Sequence, residues 1–234
     1  MSRGKVAPPP PLPQVAPPPV GLVLDILEGL WGQEKNPDVQ AFEEPLDGLV
    51  LIILSQNTND RNRDIGFARL KEAAPTWAKA AKLSRRELID LIRPAGLCDS
   101  KADTIRRALS AVKERTGTYS LKSFRGGNAE ECWQFLTSIK GVGVKTAACV
   151  FVFDLGFPAF PVDTHVARFC RRMGWFGEKV PPHLIQEAME ANVDDLRKAG
   201  AHLNIITHGR RVCKARGPLC GQCPLRGLCP SSMS

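Results

Sequence analysis

Four cysteines in this 234-residue chain, Cys213, Cys220, Cys223 and Cys229, are separated by six, two and five residues. Four thiolates within so short a stretch can surround one compact cage. Gly217-Pro218 and Gly221 supply the turns that would fold a loop around it, as an iron–sulfur cluster requires. Structural zinc is the rival ligand. Zinc sites usually pair two close-spaced couples across a longer gap, whereas this set contains one such couple, Cys220 and Cys223, so the spacing favours iron and sulfur. The other cysteines, Cys98, Cys132, Cys149 and Cys170, lie scattered in apolar contexts and read as core.

A second chemically suggestive stretch is Ile139-Lys140-Gly141-Val142-Gly143-Val144-Lys145-Thr146-Ala147, set between two helical patterns. Gly141 and Gly143 allow a tight turn and close approach to a phosphate, with N–H groups at the start of the following helix, from Val144 on, pointing outward. Such a turn holds a nucleic-acid backbone without reading sequence, although two glycines between helices also serve as a plain connector. Lys145 falls in the first turn of the new helix, where the helix dipole disfavours a cation and so favours the nucleophilic amine. The bland alternative is a solvated surface lysine. A helix over residues 144–155 rises about 18 Å, and the proline-rich residues 157–162 extend about 20 Å. The chain therefore returns to the helix's starting end and sets Asp163 across a cleft from Lys145, while Asp163 also caps the next helix, residues 164–173. His165 reads as structural, since no second histidine stands at ligand spacing.

The elements that position these groups read as helices throughout. Apolar residues at Leu22, Val23, Ile26, Leu27 and Leu30 recur at helical spacing within residues 20–35, and Asn36-Pro37 ends the segment. Pro45 opens an apolar helix to Leu54 that finishes in the polar run Ser55-Gln56-Asn57-Thr58-Asn59-Asp60, side chains suited to touching a ligand or to capping. Ser84 with Glu87 is a capping box for a helix to Ile92. A helix over residues 101–115 stops at Gly117, and Asn128 with Glu131 caps another running to Ile139. No alternation argues for a sheet, and the expected fold is all-α.

Lys and Arg number 32 against 24 Asp and Glu, a formal charge of +8. The excess is concentrated: no acidic residue follows Asp195, while seven basic ones do, Lys214 and Arg216 among them. That end reads as a phosphate-contacting face. Apolar runs such as residues 49–54 are far below the roughly 20 residues of a membrane span, and no apolar signal core follows Arg3 and Lys5. The expected setting is a reducing cytoplasm, or a nucleoid in a bacterium, where clustered cysteines mean metal binding. Residues 1–20 hold eight prolines and are expected to form a disordered tail.

Together the Gly141–Ala147 hairpin, Val162-Asp163-Thr164-His165 and the four-cysteine spacing resemble the endonuclease III family of helix-hairpin-helix base-excision glycosylases. The resemblance implies two lobes with double-stranded DNA between them: a six-helix barrel over 45–157, and a cluster domain over 158–234 against which an N-terminal helix within 21–44 packs. It implies a bifunctional enzyme, a DNA glycosylase and abasic-site lyase acting as a monomer on damaged bases or abasic sites, oxidised pyrimidines above all. Lys145 would attack C1′ to give a Schiff base, Asp163 would activate the amine and stabilise the cationic sugar, and a [4Fe-4S] cluster on Cys213, Cys220, Cys223 and Cys229 would hold Lys214 and Arg216 against DNA. Gly141, Gly143 and Val144 would grip the backbone, and Gln56 or Asn57 would fill the gap left by a flipped base. Lys140 stands where the family often has proline. Rival readings are a thymine- or adenine-mismatch glycosylase on the same scaffold, against which Lys145 argues in the adenine case, or a non-catalytic iron–sulfur DNA-binding module.

Overall fold

A computed structural model describes residues 16–32 and 42–232, and every regular element among them is helical. The chain builds two lobes, each with its own core, and the cores divide between Ala159 and Phe160.

The first lobe is contiguous in sequence. Helix α2 (Pro45–Ser55) runs through its middle, burying Leu46, Leu49, Val50, Ile53 and Leu54. The Glu44 carboxylate caps it from Leu46 N–H and also accepts from Ser120 and Leu121, which fixes the helix start to the far side of the lobe. Around α2 pack α3 (Asp60–Ala73), the single turn α4 (Trp77–Ala80), α5 (Arg85–Ile92), α6 (Cys98–Thr116), α7 (Ala129–Ser138) and α8 (Val144–Phe153). Leaving aside the four-residue α4, these are the six helices of the barrel.

Local sequence sets the helix ends. Asn59, Thr76, Ser84 and Asn128 all cap through their side chains, Ser84 in a full capping box with Glu87. Glu131 does not close the matching box at Asn128 and pairs with Arg115 at 3.1 Å instead. Gly117 stops α6 in the left-handed conformation, as expected, but α6 starts three residues before Lys101 because Leu97 opens it. Helix α8 ends at Phe153, two residues short of expectation, where Asp154 and Leu155 both turn back to the Val150 carbonyl.

The second lobe joins distant parts of the chain. Helix α1 (Val20–Trp31) lays Val23, Leu24 and Leu27 against α9 (Thr164–Arg172), α10 (Pro182–Asn192) and α11 (Lys198–Arg211), with Phe160, Phe169, Ile185, Ile205 and Leu225 completing the core. Each such side chain contributes roughly 1.5–3 kcal/mol on burial. Helix α1 ends at Trp31 with left-handed Gly32 as its C-cap, and the rest of the expected segment, residues 33–35, lies outside the described residues. One expectation at this end is corrected. The proline segment is not a free tail over all of 1–20: Pro18 is buried and its carbonyl accepts from Trp175 Nε1 at 2.8 Å, because a proline carbonyl remains a good acceptor. Residues 1–15, and the Asn36-Pro37 stop, lie outside the described residues. No helix among the described residues is long and apolar enough to cross a membrane.

Candidate active site and cluster loop

The hairpin between α7 and α8 is built as its glycines suggest, though the two glycines are there for different reasons. Gly141 has φ +101°, and a Cβ there would lie 2.3 Å from Thr104 Oγ1, so only glycine fits. Gly143 has φ −83° and nothing within 4 Å of where its Cβ would stand. Neither conformation nor packing requires glycine at 143; the space in front of it is open to whatever approaches from outside. The first helical hydrogen bond here runs from Ala147 N–H to the Gly143 carbonyl, and no side chain caps the end. The preceding N–H groups, from Gly143 through Thr146, are left for an anion. Arg107 braces the outer side by donating to the Lys140 carbonyl at 2.9 Å.

Lys145 and Asp163 come from opposite lobes. Lys145, half-buried, stands in the first turn of α8 in the barrel; Asp163, half-buried, caps α9 in the second lobe. One carboxylate oxygen does the capping: Asp163 Oδ1 accepts from the N–H groups of His165 and Val166, both at 2.8 Å. Oδ2 makes no hydrogen bond to a described residue. Capping therefore occupies one oxygen of the side chain and leaves the other outside the cap. No ion pair joins Asp163 to Lys145 among the described residues, yet both act on the same two neighbours. Burial raises the Cys149 thiol, one turn after Lys145, while the Lys145 charge opposes that rise and the Asp163 charge adds to it. Burial pushes His202 down to about 4, with Asp163 opposing and Lys145 reinforcing the fall. Four groups, Lys145, Cys149, Asp163 and His202, thus share one neighbourhood where the lobes meet.

His202 escaped the sequence reading, which sought histidines at ligand spacing. It is 2% exposed and lies 2.7 Å through Nδ1 from the carbonyl of Pro161, two residues before Asp163. That carbonyl can only accept, so Nδ1 carries the proton. Its ring also meets Phe153 of α8 at 5.7 Å, so it pins the extended strap entering α9 against both lobes.

Gln56 and Asn57 separate cleanly. Gln56 Nε2 reaches the Gly141 carbonyl at 3.5 Å and Thr146 Oγ1 at 3.3 Å, tying the end of α2 to the hairpin. Asn57 is exposed with φ +50°. The only other non-glycine residue with positive φ among those described is Leu97, φ +45° and 58% exposed. Asparagine tolerates this region, but leucine there is strained, which makes exposed Leu97 a candidate for a functional role. Leu97 lies in no motif; burial and backbone angle alone reveal it.

The four cysteines after α11 are all free and line one cavity with Phe169, Met173, His208 and Leu225. Among the described residues no three His, Cys, Asp or Glu side chains gather as a site for a single metal ion, and the thiols ring the cavity instead. Burial pushes the Cys223 and Cys229 thiols up, and their neighbouring cysteines add to it, so four thiolates together need positive charge between them. A polynuclear iron cage fits this donor set. Arg172 donates to the Cys213 sulfur at 3.2 Å and to the Lys214 carbonyl at 2.7 Å, and Arg168 donates to the Cys213 carbonyl, fastening the loop to the helix that begins at Asp163. Lys214 and Arg216 stand exposed on that loop.

Residues 50–195 match the HhH-GPD superfamily of base excision DNA repair proteins, and residues 213–229 match the iron–sulfur binding domain of endonuclease III. Endonuclease III of Sulfolobus acidocaldarius is 31% identical over 77% of this chain and 79% of its own length. That of Escherichia coli K12 is 30% identical over 88% and 93%. A solved structure of a non-covalent endonuclease III–DNA complex superposes with a TM-score of 0.78 at 27% identity, covering 92% of this chain and 95% of that one. The chain belongs to the HhH-GPD superfamily and is an endonuclease III-like base excision repair DNA glycosylase that carries an iron–sulfur binding domain.

Proposed function

We propose that this enzyme is a bifunctional glycosylase and abasic-site lyase that removes oxidised pyrimidines from double-stranded DNA, acting as a monomer. The observation that carries the reading is the delivery of Lys145 and Asp163, one from each lobe, to a single half-buried neighbourhood. A nucleotide flipped into it exposes C1′ to the Lys145 amine. As the base leaves with the glycosidic electron pair, positive charge develops on the sugar and the Asp163 carboxylate, through Oδ2, stabilises it. Lys145 Nζ bonds to C1′ and the sugar ring opens to a protonated Schiff base. Loss of a C2′ proton then expels the 3′ phosphate. The N–H groups at the start of α8 and the open face of Gly143 and Val144 hold the DNA backbone beside the lesion. Asn57 and Leu97 enter the duplex from the opposite side, Asn57 taking the vacated place of the flipped base, while Gln56 braces the hairpin.

Cys213, Cys220, Cys223 and Cys229 would hold a [4Fe-4S] cluster, whose bonds to the four thiolates would tie down the loop that presents Lys214 and Arg216 to phosphates. All eight cysteines being free suits a reducing, cytoplasmic compartment.

The test is a borohydride trap. Purified protein is incubated with a duplex bearing one thymine glycol, reductant is added and covalent adducts are resolved by electrophoresis. Wild type should give an adduct that Lys145→Ala abolishes. A wild-type protein that releases base from this lesion or from a thymine mismatch, yet gives no adduct there or on an abasic site, would instead be a monofunctional glycosylase.

A further inference from the structure

Lys101 is 2% exposed, on α6. A buried lysine is uncommon, because removing an ammonium from water is costly unless it is fully partnered. Its Nζ donates to the Leu54 carbonyl at 2.8 Å and to the Ala95 carbonyl at 2.7 Å. Leu54 lies near the end of α2, three residues before Asn57, and Ala95 lies two residues before Leu97. The two carbonyls belong to chain segments that are far apart in sequence. Each leads directly into one of the only two non-glycine residues with positive φ among those described.

We propose that Lys101 is a positioning residue for opening the DNA duplex: its ammonium cross-links the two loops and holds Asn57 and Leu97 at a fixed separation, so that they enter the duplex as one rigid wedge. This rests on the reading of Asn57 and Leu97 as duplex-entering residues. A flexible pair would pay its ordering entropy on every encounter with DNA; a clamped pair has paid it on folding. An ammonium suits the task because it offers three donors on a slender stem. It reaches two carbonyls at the end of a helix, whose dipole also favours a cation there.

The experiment compares wild type with Lys101→Met and Lys101→Arg on two substrates that carry the same lesion. One is a fully paired duplex with 2-aminopurine opposite the lesion; the other holds the lesion in an unpaired bubble, where nothing needs to be expelled. Circular dichroism melts and the visible absorbance of the cluster report folding. The clamp predicts that Lys101→Met loses the 2-aminopurine signal and falls about tenfold in duplex turnover. Its borohydride trapping on the bubble should fall by less than about threefold, with Lys101→Arg intermediate. Equal losses on both substrates, or none on either, overturn the proposal.

Should Lys101→Met not fold, the Lys101→Arg protein carries the test through the single and double changes Asn57→Ala and Leu97→Ala. The two changes should be strongly non-additive in wild type and additive once the clamp is altered; the same coupling in both backgrounds overturns the clamp. If Asn57→Ala and Leu97→Ala leave the 2-aminopurine signal unchanged in wild type, the wedge reading itself is wrong and the clamp falls with it. If they abolish it while Lys101 changes do nothing, only the clamp fails.

Discussion

Single atoms divide the labour at this site. Asp163 commits Oδ1 to two backbone N–H groups and leaves Oδ2 out of the cap, so one side chain caps a helix and still acts, with Lys145, on Cys149 and His202. The hairpin glycines part in the same way and give a sharp prediction. Gly141→Ala forces a Cβ onto Thr104 and a positive φ onto alanine, and should cost roughly 1–3 kcal/mol of stability, read as a lower melting temperature. Gly143→Ala meets no atom and no strained φ, and should cost at most about 1 kcal/mol, the loss expected for alanine at a helix N-cap. Its fluorescence-anisotropy affinity for DNA should nonetheless drop, because the methyl stands where a phosphate would come. A Gly143→Ala protein that binds DNA normally would mean that the hairpin is only a connector.

At the scale of elements, α2 and α8 pack so closely that the Asp154 carboxylate at the end of α8 occupies the space a Cβ would need at Gly48 of α2. Burial raises this carboxyl from 3.8 to about 7, against the opposing Phe42 N–H and the Arg125 charge. Because the folded value lies above the unfolded one, the stabilisation is full below about 4 and is lost as pH climbs through about 7. Asp154→Asn removes the titration. Its melting temperature relative to wild type should therefore rise from pH 4 to pH 7 and level off above; a flat difference across that range would show the carboxyl to be ordinary.

Legibility in the sequence followed the local character of each signal. Ser84, Asn128, Gly117 and Asp163 act on backbone groups within a few residues, so the helices they bound were readable. Cysteine spacing and the Gly–Lys hairpin are likewise local. Lys101 and His202 owe their importance to groups 47 and 41 positions away, the Leu54 and Pro161 carbonyls, and the bracing role of Gln56 rests on the Gly141 carbonyl 85 positions away. No window along the chain contains them. The start of α6 was misplaced for a related reason: a leucine in a left-handed N-cap gives no compositional sign.

For the whole molecule, each lobe has its own apolar core, and the cysteine loop is the part least held by one. The barrel buries a continuous apolar core, whereas the cysteine loop contributes one buried apolar side chain, Leu225. Across the cleft the Arg210–Asp60 pair, about half exposed on each side, adds little. Cys220→Ala, or iron removal by an oxidant with a chelator, should therefore leave the barrel's melting transition in place while hydrogen exchange accelerates in residues 213–229 and in α9. A single cooperative loss of both lobes would contradict that independence.

The two cores also differ in when they can exist. A ribosome delivers residues 45–159 as one unbroken stretch, so the barrel and its lysine can be finished while the rest is still being made. Helix α1, translated first, must wait for the strand of chain that ends at Leu225 before its apolar face has anything to cover it. The proposed nucleophile, Lys145, is thus assembled early and the carboxylate proposed to work with it, Asp163, late. A chain caught between those two moments holds Lys145 in place without the lobe that carries Asp163.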